Sequence, residues 1–206
     1  MTYERLAVTA AASVYGCQSF DGVRYVWSGA IDNVQFDVFR YDRLECLVFA
    51  FAGTNEMWDW RRHILVRRER LKGFRGKVHR GWLADWRKVQ STALGAFNDA
   101  CRPNDTLILC GHSYGGALAN LAAIFFAMKM PASQIRLYTY GCPRVGCRAF
   151  AKTIDGLIPH HHRYTIKGDP VTHLPLGIRY KHAGMHVQLP FARDPHAMRN
   201  YKEAIT

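Results

Sequence analysis

The 206-residue sequence predicts an α/β fold with a largely parallel central sheet flanked by helices. Three observations carry that prediction. Strand-like runs alternate with helical stretches along the chain. The central runs are nearly all apolar, as strands covered on both faces are. One of them, residues 106–110, leads directly into a glycine-flanked turn and a helix of small residues.

Taken in order, Leu6 to Ala12 is alanine-rich and only mildly apolar, with Arg5 behind Glu4 as its sole basic flank. It reads as a first helix ending at Gly16 rather than as a signal peptide. Residues 34–38 alternate apolar and polar, as a half-buried strand does. A turn at Tyr41-Asp42-Arg43 and an apolar run over 44–51 complete a hairpin feeding the sheet. Helical periodicity covers 83–100, strand 106–110 follows, and a long apolar helix spans 116–129. Strand 135–140, a helical stretch 148–155, strands near 163–166 and 185–189, and a last helix from Pro195 complete the set.

The length fits one domain over residues 1–206, and such a chain buries enough core to fold without metal or disulfide. Its 49% hydrophobic and 21% charged content is ordinary for a soluble globular protein. The longest apolar stretch, 117–128, contains Asn120 and is too short to cross a bilayer. A net charge of +12 favours an anionic partner, either nucleic acid or an anionic lipid surface. The six cysteines (17, 46, 101, 110, 142 and 147) have no framework spacing. They lean towards free thiols and, without fixing it, towards a cytoplasmic location.

A serine hydroxyl attacks well only when a base takes its proton and the side chain stands clear of the fold. Gly111-His112-Ser113-Tyr114-Gly115 offers that exposure, because a strand-turn-helix corner needs glycine on both sides of a strained serine. By composition such a pattern arises by chance in about one chain in fifteen of this size, so its setting decides. A buried strand before it and Gly116-Ala117-Leu118-Ala119 after it make Ser113 the candidate nucleophile of an α/β-hydrolase fold. The backbone N–H of Tyr114 is then one oxyanion donor. A second donor is expected after an earlier strand, where Phe51-Ala52-Gly53-Thr54 lies. Thr54 fits that role, a helix N-cap, or both.

On this fold the acid and then the histidine follow the serine in chain order. Asp169 leaves the end of a late strand; Asp155 lies within a helix and Asp194 sits too close to the end. Position alone does not separate Asp169 from a surface turn. Of the later histidines 173, 182, 186 and 196, only His196 follows the last strand. Asp194 reads as N-cap and Pro195 as first helical residue, so the helix dipole would keep the His196 base neutral. His112 reads as a packing and hydrogen-bonding residue of the turn. His160-His161-His162 points to alternating strand faces and no HExxH is present, so neither metal nor cofactor is called for.

With these residues in view the chain resembles the class 3, fungal-type triacylglycerol lipases, over about 49–201. The resemblance rests on Phe51-Ala52-Gly53-Thr54 with Asp59-Trp60, Val78-His79-Arg80-Gly81-Trp82, the serine turn, and Thr139-Tyr140-Gly141-Cys142-Pro143-Arg144-Val145-Gly146. It continues in Gly168-Asp169-Pro170-Val171-Thr172-His173-Leu174-Pro175 and Tyr180-Lys181-His182-Ala183-Gly184. It implies a Ser113–Asp169–His196 triad, oxyanion donors at Thr54 and Tyr114, and hydrolysis of lipid esters. Phospholipase A1, short-chain esterase and acyltransferase chemistry share that machinery and stay open. The chain departs from the family at Ala52 (usually Arg), Tyr114 (Leu) and Cys147 (Asn), and Tyr114 narrows the expected acyl pocket.

The segment 55–72 corresponds to the family's lid. Met57, Trp60 and Ile64 follow helical spacing, with Trp58 and Leu65 alongside. Between Arg61 and Arg80 stand nine Lys and Arg against one acid, Glu69. An apolar stripe beside such charge suits an anionic lipid interface, though an ordinary basic surface helix has the same composition. A non-catalytic, nucleic-acid-binding protein is the rival class, and three dispersed catalytic residues argue against it.

Overall fold

The strands β3 (Cys46–Phe51) and β6 (Thr106–His112) lie side by side and parallel at the centre of the sheet, as their apolar runs predict. The computed structural model describes residues 1–16, 22–53 and 67–206. Before the centre come α1 (Tyr3–Ser13), β1 (Val23–Ile31) and β2 (Val34–Tyr41). Between β3 and β6 lie β4 (Arg68–Arg70), β5 (Lys77–His79) and α2 (Arg80–Ala100). After them come α3 (Tyr114–Phe126), β7 (Ile135–Tyr140), α4 (Arg148–Leu157), β8 (His160–Ile166), β9 (Met185–Leu189) and α5 (Met198–Ile205).

The seven-stranded sheet runs β1-β2-β3-β6-β7-β8-β9. The first two pairings are antiparallel and the other four parallel. Side chains alternate across it. Leu47, Phe49, Phe51, Leu107 and Leu109 face a core shared with α2, α3 and α4. Val48, Ala50, Ile108 and Cys110 face the opposite core, closed by Leu6, Val8 and Ala11 of α1 and Tyr201 of α5. The 6–12 stretch is therefore a packed helix of the fold. Among the described residues, no helix is long and apolar enough to cross a membrane.

Several elements differ from the expectation. β1 is an additional strand, and a register shift between Tyr25 and Trp27 breaks the two-residue period that would reveal it. β4 and β5 pair as a two-stranded hairpin rich in basic residues. Helix α2 starts at Arg80, where the His79 ring accepts from the Trp82 amide at 3.4 Å, and α3 ends at Phe126 rather than 129. The last helix starts at Met198 with Ala197 as N-cap, not at Pro195. The Ala197 N–H bonds to the Asp194 carbonyl at 3.1 Å. Asp and Pro are the favoured first two residues of a type I β-turn as well as of a helix start, and here the turn prevails.

Arg40 and Asp105 form a buried ion pair that fastens β2 to the loop ahead of β6. One arm of the fork measures 2.9 Å, and Arg40 also donates to the Ala100 carbonyl at 2.8 Å. Removing Arg40 would strand the buried Asp105 carboxylate at about 3–5 kcal/mol.

Candidate active site

Ser113 stands between β6 and α3 with φ 55° and ψ −124°, a strained conformation for a side chain with a Cβ. The corner holds because nothing else fits around it. A Cβ on Gly111 would lie 2.4 Å from the Gly115 carbonyl, and one on Gly115 would lie 2.1 Å from the Phe51 oxygen. The Ser113 N–H is tied to the Tyr140 carbonyl of β7 at 2.8 Å, which anchors the turn to the sheet. Tyr114 opens α3, whose first N–H groups have no acceptor within the helix.

Asp169 and His196 converge on this corner from later loops. His196 Nε2 is 2.9 Å from Ser113 Oγ, and its Nδ1 lies 2.8 and 2.9 Å from the two Asp169 carboxylate oxygens. A carboxylate accepts only, so Nδ1 carries the ring proton and the Nε2 lone pair faces the serine hydroxyl. Asp169, 1% exposed, is held as an acceptor: the Val171 N–H donates to it at 2.9 Å and the Tyr201 hydroxyl at 2.7 Å. Gly141 has φ 57° beside the acid, where a Cβ would come within 2.8 Å of Asp169 Oδ2. This arrangement is able to take the Ser113 proton as Oγ attacks a carbonyl carbon and return it to a leaving oxygen.

The other candidates are engaged elsewhere. Asp155 accepts from the Gly184 N–H at 2.7 Å, His182 bonds the Thr172 carbonyl and His186 the Thr165 hydroxyl, each at 2.7 Å. Among the described residues no cluster of His, Cys, Asp and Glu is arranged to hold a metal. Of the expected oxyanion and lid residues, Thr54, Met57, Trp58, Trp60, Ile64 and Leu65 lie outside the described residues. The neighbouring Gly53 is described: a Cβ there would lie 3.4 Å from the Ser113 Cβ, so this loop abuts the serine. Tyr114 sends its side chain into the core, 8% exposed, where it donates to Asp85 of α2 at 2.8 Å. Sequence reasoning missed Tyr201 and Tyr15, whose partners are distant in the chain.

The family model described as "Lipase (class 3)" matches residues 48–178, more than half of the chain. The chain belongs to the class 3 lipase family. A secreted mono- and diacylglycerol lipase of Fusarium solani is 36% identical over 108 residues, covering 51% of this chain and 32% of that protein. A lipase of Rhizomucor miehei is 28% identical over 177 residues, covering 82% of this chain and 49% of its own length. The chain thus spans about half or less of these curated relatives. Among solved structures, a triacylglycerol lipase described as having a serine protease triad as its catalytic centre superposes with TM-score 0.76 at 26% identity. That alignment covers 91% of this chain and 77% of the other. The α/β-hydrolase fold expected from the sequence is the fold of this family.

One expectation is corrected. The leaning towards the cytoplasm fails, because the Fusarium relative and a similar one from Gibberella zeae are named as secreted lipases. Thiol count was a poor guide to compartment. The five described cysteines are free, and Cys46, Cys110 and Cys142 are buried.

Proposed function

We propose that this chain is a serine hydrolase of lipid carboxylic esters. Ser113 is the nucleophile, His196 the base and then the acid, and Asp169 the group that orients the imidazole. The Tyr114 amide and Thr54 supply the oxyanion donors. The observation that carries this reading is the unbroken hydrogen-bond chain from Ser113 Oγ through His196 to a buried Asp169. Relatives named as lipases of mono-, di- and triacylglycerols support lipid esters as the substrate class. Phospholipase A1 and short-chain esterase are the alternative substrate ranges. The test is covalent labelling by an alkyl phosphonate, followed by kcat/KM on a nitrophenyl ester series, a phospholipid and a triglyceride. Labelling is expected at Ser113 and nowhere else, and Ser113→Ala should abolish turnover. An active Ser113→Ala variant would overturn the assignment.

The finer reading concerns where the substrate is met. We infer that the segment 55–72 is a lid and that the basic stretch around it docks on an anionic lipid surface. Support comes from the β4–β5 hairpin. Arg67, Arg70, Lys72, Arg75 and Lys77 carry exposed charge with no carboxylate of the described residues in ion-pair range, since Glu69 pairs with Arg87 at 2.7 Å. Arg70, Lys72, Arg75 and Lys77 also ring an open cavity of about 780 Å³ with Leu71 and Phe74. Turnover on vesicles of anionic lipid should exceed that on neutral vesicles at low salt, and the difference should shrink at high salt. Equal rates in all four conditions would remove the docking role.

A further inference from the structure

Just past the end of α1, Tyr15 places its hydroxyl between two loops of the candidate site. Its Oη accepts from the Gly53 N–H at 2.8 Å and lies 2.9 Å from His112 Nδ1. Across the same ring, His112 Nε2 is 2.8 Å from the His196 carbonyl oxygen. A carbonyl only accepts, so Nε2 carries the proton and Nδ1 is left as the acceptor. Burial, aided by the neighbouring His196, pushes the His112 imidazolium down to about 3, so the ring is neutral. Burial pushes the Tyr15 phenol up to about 12, so it keeps the proton it donates to Nδ1. The hydrogen bonds therefore run one way: Gly53 N–H to Tyr15, Tyr15 O–H to His112, and His112 N–H to the His196 carbonyl.

We propose that Tyr15, acting with His112, is a positioning residue that holds the loop after β3 and the backbone of His196 in register with Ser113. The proposal rests on the catalytic reading above. Gly53 lies just beyond the end of β3, and its N–H is satisfied by the Tyr15 side chain instead of by a neighbouring strand. A Cβ at Gly53 would sit 2.3 Å from Tyr15 Oη and 3.4 Å from the Ser113 Cβ, so this backbone is wedged between phenol and nucleophile. Thr54, the oxyanion donor of the catalytic reading above, is the next residue in the sequence. On the other side, the His112 and His196 rings lie 4.6 Å apart, with the Tyr15 ring edge-on to His112 at 5.9 Å. One phenol hydroxyl thereby sets both the oxyanion side and the base side of the serine, without touching the reacting atoms.

Tyr15→Phe removes the hydroxyl and keeps the ring. Losing an oxyanion donor outright costs about 10²–10³ in kcat, and a misplaced donor costs less. The expected result is a kcat lower by about tenfold on a nitrophenyl ester, with KM within about twofold. The decisive readout is the rate ratio between an oxoester and its thionoester. Sulfur is larger and a poorer acceptor, so the ratio reports how well the donors fit an oxyanion. It should fall by about tenfold in Tyr15→Phe. His112→Phe, which keeps a ring but removes the acceptor for Tyr15, should lower it similarly and serves if the first variant fails to fold. Equal losses on both esters, or an unchanged ratio in a folded variant, would overturn the positioning role. Wild-type protein with neither ester turnover nor phosphonate labelling would overturn the catalytic reading beneath it.

Discussion

At the scale of single residues, the acid of the candidate triad is the most constrained group in the site. Asp169 is buried and accepts from His196, the Val171 amide and Tyr201, while the Tyr201 hydroxyl itself accepts from the Ile166 N–H at 3.1 Å. Tyr201→Phe would leave Oδ2 with His196 alone and orphan a buried amide. The expected cost is about 1–3 kcal/mol of stability. A less firmly held carboxylate should also lower kcat by about three- to tenfold with KM unchanged. Urea unfolding and steady-state kinetics on one ester would check both, and a variant equal to wild type would show that Val171 suffices. Ser113 was legible because its strain needs glycines at fixed spacing. Asp169 and His196 were legible through the chain order that the fold imposes. Tyr15 and Tyr201 were not, since their partners stand 97 and 32 residues away and nothing local announces them.

Among elements, legibility followed burial. β3 and β6 lose their polar alternation because helices cover both faces, and that loss is itself the signal. β1 pairs along one side only and carries a bulge, so its pattern slips by one residue midway and matches neither period. The β4–β5 hairpin has only three residues per strand, four of the six being Arg or Lys or Glu69, too short for periodicity to register. Tyr180 anchors it from below: Arg68 lies 5.9 Å over the Tyr180 ring and donates to the Arg179 carbonyl at 3.2 Å. At α5 the same Asp194-Pro195 pair satisfies two local rules. The turn prevails because it lets His196 face Ser113 and Asp169 before the helix starts, and His196 therefore precedes the helix instead of opening it.

For the molecule as a whole, buried histidines tie stability to pH. His112 is 6% exposed, and burial with His196 nearby pushes its imidazolium down to about 3. His161 is 3% exposed, with neither ring nitrogen hydrogen-bonded, and burial beside Arg163 pushes it down to about 3 as well. Both are neutral in the native state and take up a proton in the unfolded chain below about 6.5. A lowered folded value means stability that is complete above the unfolded pKa and is lost as pH falls towards the folded one. The window therefore runs from about 6.5 down to about 3, with a slope approaching 2.7 kcal/mol per pH unit once both sites are protonated in the unfolded state. His182, pushed down to about 3 by burial near Arg163, acts in the same direction. Asp37, whose carboxyl burial raises, opposes it only at the acid end. Urea midpoints at pH 7.5, 6.5, 5.5 and 4.5 should hold steady across the first step and then fall. A midpoint unchanged down to pH 4.5 would mean that these rings titrate in the native state, which for His112 would also break the one-way hydrogen-bond chain through Tyr15.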